Sequence, residues 1–176
     1  MTTILCPIPV IETDRLILRG PSDADLAAFA AYFATPRADW TGGQRNDIDS
    51  YRMLMTLAGH WHMRSYGLWV LEHRPSGATA GWAGILNHLD WPEAELGWTV
   101  FDGFERQGLA HEAANAARAV AASKLGVRAP ISLIRPGNAR SAALARRLGA
   151  QVERQTDFHG GPIDLWRHPD VTEAAA

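Results

Sequence analysis

The sequence is poor in cysteine and in long apolar runs. Cys6 is the only cysteine, so no disulfide can form within the chain, and the reducing cytoplasm is the expected compartment. No window approaches about 18 apolar residues without a charge, which argues against a membrane-spanning helix. The N-terminus also lacks the basic region and the cleavage site of a secretory signal. We therefore expect a protein without a membrane partner.

An excess of positive charge is also missing. The formal net charge is −2, the pI is about 6.4, and Lys124 is the only lysine among the 17 basic residues. Such a balance gives no basic surface for a nucleic-acid backbone. His60 and His62 lie two positions apart, where helical side chains do not face each other, and no Cys cluster or His-Glu-x-x-His motif occurs. We predict neither a nucleic-acid partner nor a metal.

The chain does have enough apolar residues for a substantial core. It contains 176 residues, 47% of them hydrophobic, and seven are tryptophan. This length predicts one domain over 1–176, with its core at about 13–167. Alternation predicts strands at 13–19, 68–72, 79–87, 93–101, 130–134, 151–158 and 163–167. Helical spacing predicts helices at 23–33, 47–62, 108–125 and 139–148, with a loop at 35–46. This order is typical of an α+β layered domain.

The longest predicted helix begins at a glycine. In the segment Phe104–Ala113, Gly108 and Ala110 stand between the end of a strand and the first helical turn. Small residues there let the backbone approach an anion, and the free N–H groups and the helix dipole attract it. The pattern is neither a Walker loop nor Gly-x-Gly-x-x-Gly. An ordinary strand-to-helix turn is the alternative interpretation.

A second helix start carries polar side chains. Asn138 occupies the expected N-cap and Ser141 the N3 position, so both could simply satisfy free backbone donors. The hydroxyl of Ser141 could instead face a cleft at the end of the sheet.

Taken together, these motifs resemble the GCN5-related N-acetyltransferase (GNAT) superfamily. Glu105–Ala110 is similar to its pyrophosphate loop, Gln/Arg-x-x-Gly-x-Gly/Ala, with Glu105 in place of the usual first residue. Three further segments resemble the branch that acetylates ribosomal-protein N-termini: Thr13–Arg19, Glu95–Trp98 and Gly108–Ala113. The helix from Asn138 to the Leu-Gly pair at 148–149 completes the pattern.

The resemblance implies a GNAT-like single domain with a mixed, mostly antiparallel sheet flanked by helices. It also implies a V-shaped opening between the fourth and fifth strands, which holds acetyl-CoA. In such a fold, the amides of Gln107, Gly108, Ala110 and His111 bind the pyrophosphate. The strand edge at 98–100 pairs with the pantetheine arm. The implied cofactor-binding residues are Trp98, Thr99, Val100, Arg106, Gln107, Gly108, Ala110, His111 and Asn138.

The implied chemistry is direct attack of an amine on the thioester. The amine must lose a proton first, and we nominate Glu95 as the base, with His88, Glu93 or a water path as alternatives. Many relatives protonate the departing thiolate with a tyrosine, but Ala145 stands at that position. Ser141 is therefore our candidate acid, as the resemblance to the ribosomal branch implies.

The sequence does not choose the acceptor. A protein N-terminus would require an open cleft, and a small amine would require a closed pocket. We expect at least one of Trp40, Trp61 and Trp91 to wall the acceptor site. A degenerate CoA-binding sensor or scaffold is the alternative function, suggested by Glu105 and Ala145. A homodimer is possible, since dimers are common among such relatives.

Overall fold

The computed structural model describes residues 8–171, and Cys6 therefore lies outside the described residues. One eight-stranded sheet has the order β1-β2-β3-β4-β5-β6-β8-β7. Its strands are β1 (Ile11–Glu12), β2 (Leu16–Arg19), β3 (Leu68–His73), β4 (Ala78–Leu86), β5 (Glu95–Val100), β6 (Ile131–Ile134), β7 (Gln151–Phe158) and β8 (Gly161–Arg167). The helices are α1 (Leu26–Phe33), α2 (Asp47–Arg64), α3 (Leu109–Lys124) and α4 (Ala139–Arg147).

Two predictions at the N-terminal side need correction. The strand predicted at 13–19 begins only at Leu16, because a turn in which the Thr13 N–H donates to the Leu16 carbonyl precedes it, and β1 before that turn was not predicted. The loop predicted at 35–46 contains a 3₁₀ helix over Pro36–Thr41. Pro36 lies in the first turn of this helix, where its fixed φ favours a helix start and its missing N–H costs nothing.

Alternation along β3 separates two apolar layers. Leu68 and Val70 pack with α1 and α2, whereas Trp69 and Leu71 pack with α3 on the other face. The small side chains of α3 that face the sheet are fully buried, and they allow the helix to lie close to the strands. Within residues 8–171, no helix combines the length and the apolar character needed to cross a membrane.

The sheet opens between β5 and β6. β5 pairs with β4 in antiparallel fashion over its whole length, but β5 and β6 are parallel neighbours only at Glu95 and Ile131. The side chain of Ser132 then reaches the Leu96 carbonyl at 2.6 Å, in place of a backbone ladder. These two strands are the predicted fourth and fifth, since β1 is an additional short strand. The expected mixed α+β sheet with a V-shaped opening is confirmed.

The sheet ends in the long hairpin of β7 and β8. Nearly all of β7 is exposed, and its register shifts between Val152 and Arg154. Glu153 lies between two arginines, with its carboxylate 2.5 Å from Arg154 and 2.7 Å from Arg167. The outermost strand therefore carries charge along an irregular ladder.

Candidate active site

The loop before α3 presents unused backbone donors. Gly108 has φ +80°, a left-handed conformation that glycine adopts without strain, and α3 begins at the next residue. Within residues 8–171, the N–H groups of Gln107, Gly108 and Ala110 donate to no other group. The His111 N–H is different, because it donates to the Gly108 carbonyl at 3.1 Å. Three of the four predicted amides are thus available to an anion, which fits a pyrophosphate.

Arg106 is the remaining loop residue among the predicted cofactor ligands. It is exposed and has φ +60°, which is uncommon for a residue with a side chain. No carboxylate in the described part of the chain pairs with it. Its guanidinium is therefore available at the rim of the loop.

The edge of β5 faces the opening at alternate residues. The Leu96 carbonyl accepts from Ser132, and the Val100 carbonyl accepts from Arg37 at 2.8 Å. Since backbone groups of a strand point alternately to its two sides, those of Trp98 also face the opening. Thr99 points its backbone to β4, and its hydroxyl donates to the Trp98 carbonyl at 2.8 Å. Of the three predicted edge residues, Trp98 and Val100 therefore direct their backbone groups to the opening, with the Val100 carbonyl already engaged by Arg37.

Glu105 lies in a network of arginines. Its carboxylate is 2.9 Å from Arg37 and 3.6 Å from Arg140, which lies in the first turn of α4. Arg37 also pairs with Asp102 and lies over the ring of Tyr32. Two arginines therefore compensate the negative charge that replaces the usual family residue. Arg37 belongs to the 3₁₀ helix at 36–41, which the sequence presented only as a loop.

The start of α4 combines a cap with a free hydroxyl. The side-chain oxygen of Asn138 accepts from the Ser141 N–H at 3.2 Å, which is the helix cap expected at this position. The amide NH₂ of Asn138 and the hydroxyl of Ser141 make no hydrogen bond within the described residues. Ala145 is fully buried with Trp166, so no side chain projects from that position.

Glu95 lies where β5 and β6 separate. One carboxylate oxygen accepts from the Trp91 indole N–H, and the other accepts from the Leu133 backbone N–H at 3.1 Å. Burial raises the pKa of Glu95, although both hydrogen bonds act in the opposite direction. A carboxylate with a raised pKa is a stronger base, and this one is fixed at the root of the opening.

The alternative bases have different surroundings. Glu93 forms a two-pronged pair with Arg167 at 2.7 and 2.8 Å, and this pairing lowers its pKa. Burial lowers the pKa of His88, and the neighbouring His60 adds to the effect. His88 lies 5.4 Å from the ring of His60 and 4.7 Å from that of Trp91. Glu93 is thus engaged by Arg167 of β8, and His88 packs on the Trp91 ring whose N–H binds Glu95.

A buried hydrogen-bond network lies next to the point where β5 and β6 separate. The Ser132 hydroxyl donates to Leu96, so it accepts from the Nε2–H of His168 at 2.9 Å. Burial and the charge of Arg118 lower the pKa of His168 to about 4. The imidazole is therefore neutral near pH 7. Sequence analysis missed this network because its members are far apart in the chain.

A cavity of about 260 Å³ lies near Trp91. Trp40 and Arg135 line it together with the turn of the last hairpin, at His159–Pro162. Trp91 contacts His159 at 5.6 Å between ring centroids, and His159 pairs with Asp90 at 2.6 Å. This turn joins β7 to β8 and also forms one wall of the cavity.

The three tryptophans nominated for the acceptor site differ. Trp40 is 49% exposed and lines the cavity, and Trp91 connects that cavity to Glu95. Trp61 is 1% exposed and packs on Trp69, so it does not line this cavity. The sequence does indicate this burial, because Leu54, Leu57 and Trp61 recur at helical spacing on one face of α2.

Comparison with known proteins identifies the class. A family model described as "Acetyltransferase (GNAT) domain" matches residues 15–151, so the chain belongs to the GNAT acetyltransferase family. It is 28% identical over 167 residues to an uncharacterized N-acetyltransferase, YoaA, of Bacillus subtilis, covering 89% of this chain and 93% of that protein.

Solved structures agree with this assignment. An acetyltransferase from Agrobacterium tumefaciens superposes with a TM-score of 0.84 at 30% identity, covering 92% of this chain and 94% of that one. A ribosomal L7/L12 alpha-N-protein acetyltransferase, solved with coenzyme A, shares the fold with a TM-score of 0.75 at 17% identity. The superposition covers 92% of this chain and 98% of the other chain. The protein is thus an N-acetyltransferase of a family that uses acetyl-CoA as cosubstrate. Within residues 8–171, no group of three or more His, Cys, Asp or Glu is placed to hold a metal ion.

Proposed function

We propose that the protein transfers the acetyl group of acetyl-CoA directly to a primary amine, with Glu95 as base and Ser141 as acid. Acetyl-CoA supplies the activated acetyl group as a thioester. The free N–H groups of Gln107, Gly108 and Ala110 support a pyrophosphate site before α3. His111, Arg106 and Asn138 stay predicted ligands. His111 would have to bind the cofactor through its ring, or through a backbone N–H that it shares with the Gly108 carbonyl.

Glu95 carries the proposal. An amine attacks only after it loses a proton, and a carboxylate with a raised pKa accepts protons closer to neutral pH. The bonds from Trp91 and Leu133 hold both oxygens in place, so the base is oriented before substrate arrives. A water molecule between the amine and the carboxylate is an equivalent path for the proton.

Ser141 supplies a hydroxyl in the first turn of α4, the helix that follows β6. Its Oγ has no internal partner in the described chain, whereas its N–H is used in the cap of α4. A free hydroxyl in the first turn of a helix can donate to a developing thiolate, and the helix N-terminus stabilises the same negative charge. This side chain takes the place of the tyrosine that Ala145 replaces.

The cavity at Trp40 and His159 is our candidate acceptor cavity. Its volume of about 260 Å³ is below the range of drug-sized ligand pockets. It can therefore hold a small amine or only the first residue of a protein N-terminus. Trp40 offers an aromatic face, and Arg135 has no carboxylate partner within residues 8–171. An amine that also carries an apolar part and an anionic group matches these walls.

No observation favours the degenerate sensor or scaffold. Glu105 suggested it, but Arg37 and Arg140 compensate that charge. The cytoplasm stays the proposed compartment on the evidence of the single cysteine, and a homodimer stays a prediction.

Release of CoA thiol from acetyl-CoA tests the function. The full chain is incubated with a panel of small amines, amino acids and peptides with free N-termini, and products are identified by mass spectrometry. We expect N-acetylation of at least one class. Binding of CoA without turnover across the whole panel would contradict the proposal and favour the sensor.

The Ser141→Ala variant tests the acid. We expect turnover to fall about tenfold while the Kd for CoA stays within about twofold, since the hydroxyl acts on the leaving group. Ser123→Ala is the matched control, because the Ser123 hydroxyl donates to carbonyls of its own helix, those of Ala119 and Val120. Weaker CoA binding with normal turnover would overturn the acid role.

A further inference from the structure

The segment before β2 makes four hydrogen bonds to α3 and its preceding loop, three to Glu112 and one to Gln107. Glu112, in the first turn of α3, accepts from the Thr13 hydroxyl at 2.6 Å and from the Arg15 backbone N–H at 2.9 Å. The Arg15 Nε donates to the second oxygen of the Glu112 carboxylate at 2.7 Å. The Arg15 Nη1 also donates to the Gln107 carbonyl at 2.5 Å. One arginine therefore contacts both the helix and the loop.

The bond to the Gln107 carbonyl has a consequence for the next amide. In a trans peptide the C=O and the following N–H point in opposite directions. When Arg15 binds the Gln107 carbonyl on one side of the loop, the Gly108 N–H must point to the other side. That N–H is one of the unused donors of the candidate pyrophosphate site. Arg15 thus fixes the direction of a donor that it does not touch.

Fold stability alone does not account for this arrangement. The Arg15 side chain is 45% exposed, and its ion pair with Glu112 is of the kind that contributes little to folding. The Glu112 carboxylate is largely buried, and burial would raise its pKa, yet the bonds from Thr13 and Arg15 lower it. The carboxylate therefore stays ionised near pH 7. A preformed loop lowers the entropy that ligand binding must overcome.

We propose that Thr13, Arg15 and Glu112 form a positioning unit that sets the orientation of the pyrophosphate-binding amides. None of the three needs to touch the acetyl group. This inference rests on the proposed function, because it assumes that the loop amides bind the pyrophosphate of CoA. It assigns a role to the Thr-x-Arg segment and to Glu112. Arg15 and Glu112 are 97 residues apart in the sequence but in contact in the fold.

The test compares two ligands that differ in the pyrophosphate. CoA contains it, and S-acetylpantetheine lacks it together with the adenosine. We expect Arg15→Met to raise the Kd for CoA about tenfold, the effect of losing one charge-assisted hydrogen bond. The Kd for S-acetylpantetheine, measured by NMR titration, should change less than twofold. A defect that is merely structural would weaken both ligands equally.

Arg74→Met is the matched control. Arg74 is 44% exposed and donates to the Thr13 carbonyl at 2.7 Å, but it makes no contact with the loop. We expect wild-type affinity for both ligands. Arg15→Lys is the second variant, because lysine keeps the charge but cannot bind Glu112 and Gln107 together. It should lose about fivefold in CoA affinity.

The outcomes separate the two proposals. An unchanged CoA affinity in both Arg15 variants, or an equal loss for both ligands, overturns the positioning unit. A wild-type protein that binds CoA no better than S-acetylpantetheine overturns the pyrophosphate site itself, and the proposed function with it.

Discussion

The loop before α3 offers backbone N–H groups, whereas the candidate acceptor cavity is lined by side chains from three separate segments. The loop residues follow one another in sequence, and a glycine in a left-handed conformation creates their shape. The cavity instead brings Trp40, Arg135 and the last hairpin together. A backbone site recognises a feature that all CoA thioesters share. A side-chain site can change from one relative to the next without altering the fold.

Arg37 lies between these two regions. It donates to the Val100 carbonyl at the β5 edge and pairs with Glu105 of the loop. Trp40 is only three residues further along the same 3₁₀ helix. Arg37 therefore connects the segment that carries Trp40 to both β5 and the loop before α3. Three variants separate the regions, and they follow in order of expected effect.

Glu95→Gln should produce the largest effect, because the chemistry needs the carboxylate whichever amine is bound. We expect kcat to fall about 100-fold, with CoA affinity unchanged. The raised pKa means that wild-type kcat/KM should increase with pH until Glu95 is ionised, at a pH above the usual carboxyl range. The variant should lose this limb of the pH profile.

Glu93→Gln is the control for the base. Glu93 is paired with Arg167 and has a lowered pKa, so its variant should keep the wild-type pH profile. If this variant loses the limb and Glu95→Gln keeps it, the assignment of the base is wrong.

Gly108→Ala should weaken the cofactor side alone. An alanine at φ +80° is strained by about 1 kcal/mol, and its Cβ would lie 3.3 Å from the Arg15 guanidinium. We expect the Kd for CoA to rise about tenfold, as for the loss of one hydrogen bond to a phosphate. Isothermal titration calorimetry measures this change.

Gly77→Ala provides the matched backbone strain. Gly77 has φ +66° in the turn between β3 and β4, with nothing within 4 Å of an added Cβ. Both variants should lose similar thermal stability, but only Gly108→Ala should bind CoA weakly. Equal CoA affinities in the two variants would remove the loop from the cofactor site.

Trp40→Ala should give the smallest effect and should act on the acceptor side. Loss of the exposed indole should raise the KM for the amine about fivefold, the order of one aromatic contact. The Kd for CoA should stay within twofold. Tyr51→Ala, on the exposed face of α2, is the control. A change in CoA affinity without a change in the amine KM would place Trp40 outside the acceptor site.

The same contrast explains what the sequence could predict. The loop at 105–111 and the cap at Asn138 depend on neighbouring residues, so their patterns are visible in the chain. The bonds of Glu95 to Trp91 and Leu133, and of Arg15 to Glu112, depend on tertiary packing. The bond from the His111 N–H to the Gly108 carbonyl is likewise not visible in the sequence pattern, because it depends on how the first turn of α3 closes. The 3₁₀ helix at 36–41 was missed since its turn-forming residues also suit a loop.

The charged and irregular β7 has a consequence for how copies of the protein meet. An exposed edge strand is a template on which another chain can extend the sheet, and this is a common route to aggregation. On β7, a new strand would have to align with the register shift at Val152 and Arg154 and lie beside Glu153. Intermolecular sheet growth is therefore unfavourable at this edge. If the protein forms a homodimer, the two copies should pack through another surface.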